Sequence, residues 1–281
     1  VTRVAIVTGG ASGIGRALCA ALVRRSVHVI VADLDATRAA QVADELMAAG
    51  PGTAEAHALD VSDGVAFQTL VEEVADRHGR LDLIFNNAGV GVAGEPEELT
   101  LAHWERAIDV NLKGAVHGCH AAYPIMKRQG FGHIVNTGSI AGLVGGIASS
   151  APYVTTKHGV VGLSLSLRVT AAPFGVGVHV VCPGAVDTPL LDSSGIPGLP
   201  TPPSMDGLTL KTLANEAGMK RFYPPEKLAE DVLAGVAKGR AVIVAPPSAK
   251  VVWWVWRLTP GLLMRAMIAG SARWRRKQAV E

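Results

Sequence analysis

The chain has 281 residues, 49% hydrophobic and 18% charged, a balance that can bury a sizeable core and excludes disorder of the whole chain. Its length fits one large α/β domain, or two small ones at most. The formal charge of +2 hides an asymmetry: seven bases against one acid from Lys250 onward put +6 on the tail and −4 on the rest. A mildly acidic body with a basic tail is not the footprint of a nucleic-acid binder and points to acidic lipid or an acidic partner surface.

In chain order, short apolar runs at 4–7, 27–32, 54–59, 83–85, 133–136, 178–181 and 241–245 read as strands. Amphipathic stretches lie between them, such as 37–49 and 66–78. Continuously apolar strands rich in valine and isoleucine suit a parallel sheet covered on both faces. The alternation predicts a single-domain, doubly wound α/β fold of about seven strands over 1–245, with a helical extension over 246–281. Segment 190–219 combines Pro, Gly and Ser with Leu190, Leu191, Ile196, Leu199, Leu208 and Leu210, which predicts a lid rather than a solvated linker. Cys19, Cys119 and Cys182 lack metal-ligand spacing and read as reduced, buried thiols of a cytoplasmic protein. The run 4–7 is too short for a secretory signal.

The first strand leads into Thr8-Gly9-Gly10-Ala11-Ser12-Gly13-Ile14-Gly15 and then a helical pattern. Gly9 permits the turn, Gly13 the approach of backbone to a pyrophosphate, and Gly15 close packing of helix on strand. The phosphates would meet amides at a helix N-terminus. Asp33, ending the second strand, is placed to accept the ribose hydroxyls of NAD and repel the extra phosphate of NADP. Asp35 is the better helix cap. With Ser12 before Gly13 and Leu34 after Asp33, no cation awaits that phosphate, so NAD is the expected cofactor.

The spacing T-G-x-x-x-G-x-G resembles the short-chain dehydrogenase/reductase family, and further matches follow in order. Asp60-Val61 is similar to its adenine-contacting pair, and Asn86-Asn87-Ala88-Gly89 to its N-N-A-G segment. Asn111, Ser139, Tyr153 and Lys157 fall where its catalytic tetrad is expected. Pro183-Gly184, with Val186 and Thr188, resembles the segment that holds the nicotinamide carboxamide. The resemblance covers about residues 3 to 245. It implies a Rossmann fold, a dinucleotide contacted also by Ser12, Ile14, Tyr153 and Lys157, and a homodimer or homotetramer. The family's usual T-G-x-x-x-x-x-D-G-G ending is replaced by 239–247 and an extension, which resembles the branch acting on steroids, retinoids and other lipophilic alcohols.

Tyr153 and Lys157 are four apart and share a helix face. A free phenol, with a pKa near ~10, is a poor base at neutral pH. An ammonium at ~4 Å and an effective dielectric of about 20 would attract phenolate by about 4 kcal/mol before desolvation, so a lowered tyrosine pKa is expected. Ser139 is expected to stabilise charge on the substrate oxygen, and Asn111, by the resemblance, to hold a water linked to Lys157. Taken singly, each residue has a plainer reading as helix surface, strand end or local hydrogen-bonder. His117 and His120 lack a third ligand, so no metal is expected. Together these features predict an NAD-dependent oxidoreductase acting on a lipophilic alcohol or ketone. The alternatives are a non-catalytic NAD-binding regulator and, more weakly, a nucleotide-sugar epimerase. Val160, Val161, Leu163, Leu165 and Leu167 would suit a dimer seam. In the tail, Val251, Trp254, Val255 and Leu258 form one apolar face, and Leu263, Met267, Gly270 and Trp274 a second. Trp253, Trp254 and Trp256 are too many to leave in water, so the tail meets a membrane surface, a second subunit or the protein's own body. Arg257, Pro260 and Arg265 interrupt any span of the bilayer.

Overall fold

The computed structural model describes residues 2–145, 149–216, 219 and 221–278, with the side chains of Trp274 and 276–278 left out. Seven strands form one parallel sheet: β1 (Val4–Thr8), β2 (His28–Asp33), β3 (Thr53–Ala58), β4 (Leu83–Asn86), β5 (Gly132–Thr137), β6 (Val176–Pro183) and β7 (Val242–Ala245). Their order is β3-β2-β1-β4-β5-β6-β7. All seven expected strands are present, with ends shifted by a residue or two. Strand residues alternate between two cores, as a period of two requires. Ala5, Val7, Val29 and Val31 face one core, and Val4, Ile6, Ile30 and Ala32 the other.

Helices α1 (Gly13–Val23), α2 (Ala36–Ala49), α3 (Gly64–His78), α4 (Leu101–Ala107), α5 (Gly114–Gln129) and α6 (Ala151–Ala171) follow in chain order. They are succeeded by α7 (Leu210–Glu216), α8 (Pro225–Ala237), α9 (Pro247–Leu258) and α10 (Pro260–Gln278). Leu18 and Val23 of α1, Val42 and Leu46 of α2, and Leu228 and Val232 of α8 cover the first face. Phe67, Leu70 and Val71 of α3 and Ile125 and Met126 of α5 cover the second. Asp35 caps α2 by accepting from the Arg38 amide, and Asp63 caps α3 through the Val65 and Ala66 amides. The chain passes from β1 outward to β3, then returns to lay β4 against β1 on the other side. That reversal opens a crevice beyond the carboxyl ends of β1 and β4, the place where such sheets bind ligands.

One expectation is corrected. The expected dimer seam on α6 is largely internal: Val160 and Val161 are buried in the core and Leu163 and Leu167 pack against it. Of the exposed positions, Leu165 and Val169 are the large apolar ones on this helix. Residues 108–113 wind as a π segment between α4 and α5. The tryptophans divide between the body and the outer face of the extension. Trp253 packs against the core while Trp254 is 53% exposed. The three cysteines are free and buried, as expected.

Behind the crevice, a buried polar chain joins β4, β5 and α6. Asn86 Nδ2 donates to Asn136 Oδ1 at 2.8 Å, Asn136 Nδ2 donates to Ser164 Oγ at 2.9 Å, and Ser164 Oγ donates to the Val160 carbonyl at 2.6 Å. Asn136 is completely buried. Replacing it by leucine strands the Asn86 donor, so Asn136→Leu should lower unfolding stability by about 2–3 kcal/mol in urea titrations.

Candidate active site

The loop leaving β1 turns at Gly9 and reaches Gly13 with φ +48°, a left-handed backbone that favours glycine. A Cβ at Gly13 would sit 3.1 Å from the Thr188 side chain, and one at Gly15 only 1.9 Å from the Gly9 carbonyl oxygen. The turn therefore closes only with glycine at both places, and it delivers α1 end-on to the crevice. Ser12 is the N-cap of α1, and its side chain makes no capping bond. The first-turn amides, which have no partner within the helix, are thus left to whatever occupies the crevice. Thr8 organises the opposite wall. Its Oγ1 accepts from the amides of Asn87 at 2.9 Å and Ala88 at 3.1 Å and donates to the Phe85 carbonyl. Asn87 Nδ2 donates to the Thr8 carbonyl at 3.1 Å.

Asp33 emerges at the end of β2. Its carboxylate accepts from the Ala11 amide at 3.0 Å and the Asp35 amide at 3.1 Å, which holds it against the glycine loop. The neighbouring Leu34 is exposed. Asp60 spends one oxygen on Ser62, accepting from its amide at 2.9 Å and its hydroxyl at 2.6 Å, and lies 3.8 Å from the Arg106 guanidinium. Val61 is buried, and its carbonyl accepts from His117 Nδ1 at 2.9 Å, so that histidine has a structural partner.

The crevice has a volume of about 200 Å³. It is lined by Gly9, Ser12, Gly13, Ile14, Asn87, Ala88, Gly89, Ser139, Tyr153, Lys157, Pro183, Gly184, Val186 and Thr188 from the sequence-based set, together with Val90, Thr137, Gly138, Ala185, Pro189, Leu190 and Leu191. Gly15 supports it from behind, Asp33, Asp60 and Val61 lie outside its lining, and Asn111 lies beneath.

Tyr153 and Lys157 come from the first turns of α6, and Ser139 from the connection after β5. The Tyr153 hydroxyl hydrogen-bonds the Ser139 side chain, whose Oγ also accepts from the Ala141 amide at 3.1 Å. Lys157, 3% exposed, donates to the Thr137 carbonyl at 2.9 Å. Its Nζ stands 5.6 Å from the centre of the Tyr153 ring. Asn111 is buried in the π segment and grips Val90 at both ends: Oδ1 accepts from the Val90 amide at 2.7 Å and Nδ2 donates to its carbonyl at 3.0 Å. Gly89 separates Asn111 from Lys157, since a Cβ there would lie 3.0 Å from Asn111 Oδ1 and 3.6 Å from Lys157 Nζ.

Burial governs the ionisation of this group. It raises the Tyr153 phenol above its ordinary value, with the Ser139 hydrogen bond opposing. This corrects the expectation that Lys157 would lower it. The ammonium is turned to the Thr137 carbonyl, and desolvation is the largest influence on the phenol. Burial also pulls Lys157 down to about 8 and pushes the Cys182 thiol up to about 12. Among the residues that sequence reasoning passed over, Thr8 and Thr137 hold the site together by hydrogen bonds. Thr8 heads the glycine loop, which was the available signal. Thr137 acts through its main-chain oxygen, which leaves no side-chain signature.

The surroundings of Tyr153 are apolar: Val92, Leu99, Ala107 and Ile196 are buried together, with Val90 and Leu199 against them. Part of the expected lid is fastened. His103 Nε2 donates to the Pro200 carbonyl at 3.0 Å, and the Ser204 amide donates to Glu98 Oε2 at 3.1 Å. Residues 217 and 218 of that segment lie outside the described residues. The extension reaches both flanks. Trp256 lies against Gly145, where an added Cβ would meet its ring at 3.4 Å, and Arg275 pairs with Glu95 at 2.6 Å.

The chain belongs to the short-chain dehydrogenase family: the family model "short chain dehydrogenase" matches residues 3–196. It is similar to the probable oxidoreductase EphD of Mycobacterium tuberculosis, 33% identical over 260 residues, covering 92% of this chain but only 43% of that protein. The cyclohexanol dehydrogenase of an Acinetobacter species is 39% identical over 190 residues, 67% of this chain and 75% of that one. A short-chain dehydrogenase/reductase from Burkholderia phymatum, solved in complex with NAD, superposes with a TM-score of 0.81 at 29% identity, covering 93% and 95% of the two chains.

Lys157 titrates at about 8 in the fold, against an ordinary value of 10.5. The unfolded chain binds more protons between those values, so this group's penalty on folding shrinks as pH rises through that window. Between pH 7 and 9 it should recover about 1 kcal/mol of stability. The buried thiols act oppositely near pH 9, so comparison with Lys157→Met cancels them. Urea unfolding at the two pH values should show the recovery in the unmodified protein and not in the variant.

Proposed function

We propose that the protein is an NAD-dependent dehydrogenase or reductase of lipophilic alcohols and ketones, using Ser139, Tyr153, Lys157 and Asn111. The convergence of Ser139, Tyr153 and a fully enclosed Lys157 on one crevice carries this reading. The crevice residues fit a dinucleotide. The uncapped start of α1 suits the pyrophosphate, and Gly13, whose Cβ would press on Thr188, keeps the loop backbone bare where it faces the crevice. Asp33, held by the Ala11 amide, suits the ribose hydroxyls and disfavours an added phosphate. Pro183, Gly184, Val186 and Thr188 would hold the carboxamide end, and Asp60 and Val61 the adenine end. The bound cofactor supplies the acceptor or donor of hydride, with a positive ring in its oxidised form.

The side chains of this chain handle the proton. Ser139 Oγ orients the substrate oxygen. Tyr153 Oη takes the hydroxyl proton during oxidation and returns it during reduction. Lys157, next to the phenol, favours its charged form, assisted by the oxidised cofactor ring against the cost of burial. Asn111 positions the 88–90 segment through Val90 and so supports the crevice floor. The apolar set around Tyr153 and the segment 190–219, acting as a lid, favour a lipophilic substrate. The extension, absent from the family's usual ending, favours the steroid, retinoid or lipid class.

A screen of lipophilic alcohols and ketones, followed by NADH and NADPH absorbance, should give turnover with higher kcat/KM for NAD. Tyr153→Phe should lower kcat by about 10²–10⁴-fold while leaving NAD affinity nearly unchanged. Near-normal kcat in that variant overturns the mechanism. Intact NAD binding with no turnover on any substrate would favour the regulator.

The same reading extends to the tail. One face of α9 belongs to the body, through Ala249, Trp253 and Trp256. The opposite side exposes Val251, Trp254, Val255 and Leu258, and α10 adds Leu262 and Ile268. From Pro247 to Val280 there is no acidic residue. Among the described residues no helix is long and apolar enough to cross a membrane. An apolar, tryptophan-bearing face with only basic charges suits the surface of an anionic bilayer. There it would bring the apolar approach to Tyr153 close to dissolved lipophiles. A homodimer or homotetramer, the family habit, would draw on other surfaces such as Leu165 and Val169. The full chain should bind phosphatidylserine vesicles more tightly at low salt than at high salt, and Trp254→Ser with Leu258→Ser should weaken binding at least tenfold. If neither protein binds and truncation after Pro247 changes the oligomer size, the face is a subunit contact.

A further inference from the structure

At the amino ends of β2 and β3, remote from the crevice, three side chains from separate elements converge. His28 opens β2, Glu55 lies in β3 beside Ile30 of β2, and His78 ends α3. One nitrogen or oxygen from each lies within 4.8 Å of the others, the one such three-ligand grouping among the described residues. The imidazole rings are 4.5 Å apart at their centres. Both Nε2 atoms are buried and have no hydrogen-bond partner. His28 Nδ1 is fixed instead by Thr53 Oγ1 at 2.6 Å, so Nε2 presents its lone pair inward when Nδ1 carries the proton. A histidine whose far nitrogen is held by a hydroxyl, with the near one facing a second imidazole and a carboxylate, has the arrangement of an oriented metal ligand. Buried lone pairs are costly unless something accepts them.

We infer that His28, His78 and Glu55 form a zinc-class metal site that fastens the end of α3 to the β2–β3 edge. Two imidazoles and one carboxylate select a borderline divalent ion over calcium or magnesium, with a fourth position left for water. Bonds of ~2.1 Å require the three atoms to draw in to about 3.3 Å of one another, which side-chain rotation at the helix end can supply. Arg77, whose guanidinium stands 3.0 Å from the Glu55 carboxylate, competes with the ion for that ligand. The site is structural: no residue of the crevice takes part, so metal should stabilise the fold without altering turnover.

The test is titration of chelator-treated full-length protein with Zn²⁺ by calorimetry and thermal unfolding, with Co²⁺ absorption as a report of coordination. One equivalent should bind, Tm should rise, and Co²⁺ should give tetrahedral visible bands. His28→Ala and His78→Asn should each weaken binding at least a hundredfold and abolish the Tm rise, whereas His117→Asn should bind as the unmodified protein does. Arg77→Met should tighten binding several-fold by releasing Glu55, a gain of function that misfolding cannot mimic. Absence of binding by the unmodified protein up to 100 μM Zn²⁺, or equal binding by the His28 and His78 variants, overturns the site.

Discussion

A lysine ammonium taken out of water and donated to the carbonyl end of a β-strand is the contact around which this active-site region is built. Lys157 reaches the Thr137 carbonyl from α6, and only close packing lets it do so. A Cβ at Gly142 would fall 2.4 Å from the Lys157 carbonyl, and one at Gly89 would press to 3.0 Å on Asn111 Oδ1 beside the amine. Removing a charge from water is expensive unless it is paired or hydrogen-bonded, and burial accordingly depresses this amine. The hydrogen bond to Thr137 offsets part of that cost.

From that contact the supporting structure follows outward. β5, which carries Thr137, is tied through Asn136 to Asn86 on β4 and to Ser164 on α6. β4 in turn delivers Asn87 and Ala88 to the Thr8 hydroxyl, which sets the distance between the glycine loop and the crevice wall. The π segment at 108–113 brings Asn111 beneath Val90, so the segment leaving β4 is held from below as well as from the side. π-bulges of this kind often mark functional sites, because the extra residue re-aims a side chain at some cost to the helix.

The extension shows a different balance. Its inner side completes the packing near β7 and the loop after Ser139, through Ala249, Trp253 and Trp256. Its outer side leaves Trp254 and Leu258 to solvent, and Arg257 stacks over both Trp253 and Trp254, at 5.4 and 5.1 Å from their ring centres. Arg275 reaches Glu95, which also accepts from Ser149 Oγ at 3.0 Å. The helix pair is therefore tied to both segments that flank Tyr153.

Much of this was legible in the linear chain because it depends on neighbours in sequence. Short, continuously apolar runs marked all seven strands, and the glycines at 9, 13 and 15 marked a strand-to-helix turn that no bulkier residue could make. The four-residue step from Tyr153 to Lys157 placed both on one face of α6. Tertiary structure alone decided what depends on desolvation and on partners distant in sequence. It raised the Tyr153 phenol where proximity to Lys157 had suggested the reverse, since burial acts on every side of a group and a linear pattern records only one. It turned Val160 and Val161 inward, because an apolar stripe does not say which of two cores will cover it. It enlisted the Thr137 carbonyl, which every residue possesses and no sequence can single out. And it brought His28, Glu55 and His78 together across two strands and a helix end, a meeting set by sheet register rather than by spacing along the chain.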